Sequence, residues 1–70
     1  MAGEESALWG EIDTQILLHL SLGRRLQEIG RHVGRTQWTV SWHIRRMSKA
    51  IGAKTPAHLV ALAFRRGIIR

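Results

Sequence analysis

Seventy residues is about half the usual length of a single domain, which limits the chain to one small core and leaves no room for an enclosed substrate cavity. There is no cysteine, so neither a disulfide nor a thiolate metal site supports the fold, and helical packing has to hold it together. Charge is divided along the chain. Glu4, Glu5, Glu11 and Asp13 are four of the five acids, whereas all eleven Lys and Arg come later against Glu28 alone, a net +10 from residue 14 onward (eleven minus one), which suits a polyanionic partner.

In chain order, residues 1–7 are small, polar and acidic without periodicity and read as a disordered tail. Trp9, Ile12, Ile16 and Leu20 recur at steps of three and four and predict a first helix from about Glu11 to Ser21, with Glu11 and Asp13 complementing its N-terminal dipole. Leu26, Ile29 and Val33 predict a second helix of about two turns that Gly34 ends, with Arg25 a poor cap at its start. The third is the longest: Thr36 caps it, Val40, Ile44, Met47 and Ile51 form its inner stripe, and Gly52 stops it. Thr55 followed by Pro56 opens a fourth, which turns Val60, Ala63 and Phe64 inward before Gly67. No strand pattern occurs, so the expected fold is all-α, one domain over residues 8–70. The longest unbroken apolar run, residues 59–64, is too short to span a bilayer, and the N-terminus is acidic where a signal peptide is basic, so a cytoplasmic protein with no membrane partner is expected.

The second and third helices, a short one and a longer one joined at Gly34, space like a helix-turn-helix, with Gly30 where the two must approach closely. Glu28-Ile29, Gly34, Thr39-Val40, His43-Ile44, Gly52-Ala53-Lys54-Thr55 and the run LVALAFRRGII together resemble the LuxR-type (GerE-type) DNA-binding domain, over about residues 9–69 and without a gap. The resemblance implies a four-helix bundle whose third helix reads DNA and whose fourth mediates dimer contact, in a bacterial transcriptional regulator associated with the nucleoid. Family members usually carry this domain behind a receiver or ligand-sensing domain, so the chain is expected to be a stand-alone regulator or an excised domain. It departs from the family in three places. Gly10-Glu11 replaces a Thr-Pro pair, Arg25-Leu26-Gln27 replaces Ser-Asn-Lys, and Trp38 and Trp42 occupy polar, commonly charged or small positions on the reading helix.

With Val40, Ile44, Met47 and Ile51 turned inward, the opposite side of the third helix carries Trp38, Trp42, Arg45 and Lys49, flanked by Ser41 and Arg46. Arg45 suits a bidentate contact to guanine, Ser41 suits either base type, and Trp42 suits the methyl group of thymine. By resemblance, the base-contacting positions are Ser41, Trp42 and Arg45, and Thr39 touches phosphate. Arg24, Arg25, Gln27, Trp38, Arg46, Lys49 and Lys54 are the further candidates for backbone contact, which supplies affinity and register without sequence information.

A large aromatic is more often buried than displayed, but turning the helix to bury the tryptophans would expose Val40 or Met47 and bury Arg45. Display of at least Trp42 is therefore expected, for DNA or for a protein partner such as RNA polymerase or another regulator. His43 lies beside the buried stripe and reads as a structural imidazole. His19, His32 and His58 fit no zinc spacing, so no metal or cofactor is expected. Nor is there a nucleophile and base pair, an acidic dyad or a phosphate-binding glycine loop, which argues against an enzyme. On the fourth helix, Leu62 is expected to face outward among His58, Leu59, Arg65 and Arg66. This is the surface through which the family pairs about a two-fold axis; small and rimmed by charge, it predicts a weak homodimer that firms on DNA.

Overall fold

A computed structural model describes residues 9–70, so the tail expected at residues 1–7 lies outside the described residues. Four helices follow one another: α1 (Glu11–Ser21), α2 (Leu26–Val33), α3 (Gln37–Ile51) and α4 (Pro56–Arg65), with no strand among the described residues. None of these helices is long and apolar enough to cross a membrane.

Local chemistry sets the ends. The Thr36 hydroxyl accepts from the backbone N–H of Thr39 at 3.2 Å and the Thr55 hydroxyl from that of His58 at 3.0 Å, each satisfying an N–H that the helix itself leaves unpaired. Arg25 contributes no side-chain cap, and Glu28 compensates by reaching back to the Arg25 N–H at 3.3 Å. Gly34 and Gly52 close α2 and α3 in the left-handed conformation, at φ 70° and 74°, where a side chain would be strained.

Helices α1 and α3 form the centre, each packed against all three other helices, while α2 and α4 lie on separate flanks and do not touch. Ile16 and Leu17 of α1, Ile29 of α2, Val40 and Met47 of α3 and Leu59 of α4 are wholly enclosed between them, and Trp9 before α1 and Ile69 after α4 join the same core. With α1 behind α3 and flanking helices on both sides, one long face of α3 remains open to solvent.

Helix α4 is turned relative to its expected setting. Leu59, expected on the outer surface beside Leu62, is 0% exposed, and Phe64, expected inside, is 45% exposed. Leu62 and Val60 are half-buried against the core, so Leu62 is not the outward residue either. Part of the core here comes from beyond the helix. Gly67 reverses the chain at φ 70°, the Ile68 N–H returns to the Ala63 carbonyl at 2.9 Å, and Ile69 enters the core, adding an apolar side chain that the periodicity of α4 does not count.

Candidate nucleic-acid interface

The apolar stripe Val40, Ile44, Met47 and Ile51 sets the rotation of α3 and is buried as expected. The opposite face is therefore in water. Trp38 is 75% exposed and Trp42 52%; Arg45, Arg46 and Lys49 are exposed, and Ser41 and Thr39 are half-buried at its edges. No acidic residue occurs in α3.

Trp42, Arg45, Arg46 and Lys49 share a shallow groove with Ala53 and Lys54 of the connection into α4 and with Pro56 at its start. A second depression joins Trp38 to Gln27 of α2 and adds Arg31 and Arg35, two cations the sequence reading did not single out. Most candidate contacts therefore fall on or beside one surface. Arg25 is exposed at the start of α2, and Thr39 accepts a hydrogen bond from the Thr36 hydroxyl at 3.2 Å. Arg24 is differently engaged: half-buried, it places its guanidinium against Nδ1 of His19 near the end of α1. On α4, Nδ1 of His58 accepts from the Lys54 N–H at 3.0 Å and Arg65 is exposed.

The residue that organises this surface carries no obvious mark in the sequence. Asp13, expected only to complement the α1 dipole, is 2% exposed and receives three donors. They are the Gly10 N–H at 3.2 Å, Nδ1 of His43 at 2.7 Å and the guanidinium of Arg46. Both side-chain partners also touch Trp42: the Arg46 guanidinium lies 5.4 Å from the indole centroid, and the His43 ring meets it edge-on at 5.0 Å. One buried carboxylate thus ties α1 to α3 and, through His43 and Arg46, sets the seat of Trp42.

A separate imidazole pair lies where the ends of α1 and α2 meet. His19 and His32 stack with ring centroids 4.5 Å apart. Burial of His19, then His32 and Arg24 beside it, lower its pKa below the usual 6.5. Folded protein then binds this proton less readily than unfolded protein, so the stability His19 contributes is complete above about pH 6.5 and declines as pH falls through that value. His19→Gln is expected to flatten the loss of melting temperature between about pH 7.5 and pH 5. An equal loss in both proteins would remove His19 as its source.

In comparison with known proteins, no family model, no curated protein and no solved structure matches the chain.

Proposed function

We propose that the chain binds double-stranded DNA sequence-specifically, as a bacterial transcriptional regulator or its DNA-binding domain, with α2 and α3 acting as a helix-turn-helix. In this reading α3 lies in the major groove while α2 braces it against the sugar-phosphate backbone. The observation that carries it is the open face of α3. That face is a rod of Trp38, Trp42, Arg45 and Lys49 with no carboxylate among them, and neither Arg45 nor Lys49 has an ion-pair partner among the described residues. The basic excess over residues 14–70 and the resemblance to LuxR-type domains support the same reading. Ser41, Trp42 and Arg45 would face base edges; Arg25, Gln27, Trp38, Thr39, Lys49 and Lys54 would meet backbone, with Arg31 and Arg35 beside them, and Arg24 and Arg46 would do so from their seats on His19 and Asp13.

Pairing of two copies through α4 is part of the proposal, with the surface amended. Leu59 is withdrawn into the core, leaving His58, Arg65 and the rim of Leu62, while the exposed Phe64 lies on another side of the helix, about 160° from Leu62. The exposure of Trp38 and Trp42 favours a second reading, a protein-interaction module on the same fold. Aromatics suit the centre of a protein interface, but a rim of unpaired cations suits phosphate better.

Selecting bound sites from a random duplex library tests the reading. Arg45→Ala is expected to weaken binding to a selected site by ~1–3 kcal/mol and to relax preference at one base pair. Lys49→Ala is expected to weaken binding similarly on every sequence and to reduce the salt slope by about one phosphate's worth. Recovery of no preferred site, or an Arg45→Ala variant that binds its site as tightly as the parent, contradicts the assignment.

A further inference from the structure

Trp42 is unusual among the side chains on the open face of α3 because it is both exposed and held. About half of its surface is in water, yet Arg46 lies over the ring, His43 meets its edge, and both are anchored on the buried Asp13. Trp38, one turn earlier, is more exposed, and no ring contact or hydrogen bond of its side chain occurs among the described residues. The difference matters for recognition, because a fixed aromatic loses little conformational freedom on binding whereas a loose one is costly to order.

What such a ring can read follows from its chemistry. An indole has one N–H donor and no acceptor, so it cannot match the paired hydrogen-bonding patterns by which Arg, Asn or Gln tell base pairs apart. Its exposed surface is carbon. In a major groove the apolar feature on a base edge is the methyl group at C5 of thymine, and 5-methylcytosine presents the same group at the same place. Arg45, three residues on and less than one turn away, has the donors that Trp42 lacks and suits a guanine nearby.

We infer that the Trp42 indole recognises the C5 methyl group of a pyrimidine in the major groove, so that methylation, not a hydrogen-bond pattern, decides preference at that base pair. This rests on the DNA-binding reading above.

Deoxyuridine differs from thymidine only by that methyl group and keeps every hydrogen bond. In sites selected from a random duplex library, replacing thymines one at a time with deoxyuridine is expected to lower affinity about fourfold at one position in each half-site, the ratio for one buried methyl-sized group. At that pair, 5-methylcytosine is expected to bind more tightly than cytosine, which separates the methyl group from the identity of the base. Trp42→Ala should bring the thymine-to-uracil ratio there to about one, and Trp42→Phe should retain a ratio above one. The ratio is read within each protein, so a general loss of affinity does not imitate the effect. If duplexes bind but no position responds to uracil, or if the response survives in Trp42→Ala, the inference fails and the DNA reading stands. If no duplex binds with salt-dependent affinity, both fail.

Discussion

Replacing Asp13 with alanine is expected to cost about 3 kcal/mol of folding stability, a large share of the ~4–10 kcal/mol available to a domain of this size. The carboxylate is enclosed and accepts from Gly10, His43 and Arg46, so its removal leaves one backbone N–H and two side chains without their acceptor. Breaking a wholly buried charge pair costs about 3–5 kcal/mol. The lower end applies here because the Arg46 side chain is 40% exposed and regains water when released. Asp13→Asn keeps the shape and one acceptor but loses the charge, and about half the penalty is expected. Thermal or urea unfolding measures both. A loss below about 1 kcal/mol for Asp13→Ala would mean that the three contacts contribute little and that α1 and α3 are held by apolar packing alone.

Gly30→Ala is expected to destabilise by about 2 kcal/mol, although alanine is the better helix former by about 1 kcal/mol. Gly30 is buried where α2 meets the turn into α3, and a Cβ there would run into the carbonyl oxygen of Arg35. That oxygen belongs to backbone, not to the end of a flexible side chain. The turn is held by the Arg35 N–H bonded to the Gly30 carbonyl at 2.9 Å and by the left-handed Gly34. The methyl group therefore has to push α2 and α3 apart. If α2 braces α3 on DNA, the same displacement weakens binding beyond what unfolding explains. Gly10→Ala is the comparison: nothing lies within 4 Å of a Cβ there, and only the smaller loss of alanine as a poor N-cap of α1, about 0.5–1 kcal/mol, is expected. Equal effects at the two glycines would rule out the close approach as the reason.

The contrast between α3 and α4 shows what was legible in the sequence. Everything that fixes α3 is local: Thr36 caps it, Gly52 ends it, and its four buried residues repeat at steps of four, three and four. The open face, with Trp38, Trp42, Arg45 and Lys49 in solvent, follows by subtraction. Helix α4 has equally clear ends, but its run of residues 59–64 is apolar on every side, so periodicity could not tell Leu59 from Phe64. The core also takes in Ile69 from beyond the helix, a contact the pattern within α4 does not contain. Leu17, also enclosed, escaped the stripe of Ile12, Ile16 and Leu20 because α1 is packed by three helices and buries a wider arc than one face. Asp13 was hidden for a related reason. An acid in the first turn of a helix is ordinary, and its partners His43 and Arg46 lie 30 and 33 residues away. The signal available was its spacing, four residues after Trp9 and three before Ile16, which puts an acid on the apolar side of the helix.

Contact of the open face of α3 with nucleic-acid phosphate and bases is what the proposed function requires. It is tested most directly by titrating the chain with random-sequence duplex while following tryptophan fluorescence over a series of salt concentrations. Trp38 and Trp42 should report binding, and the logarithm of the association constant should fall with the logarithm of salt concentration with a slope of about −3 or steeper, as expected when three or more phosphates are neutralised. No fluorescence change at low salt, or an affinity indifferent to salt, would contradict it.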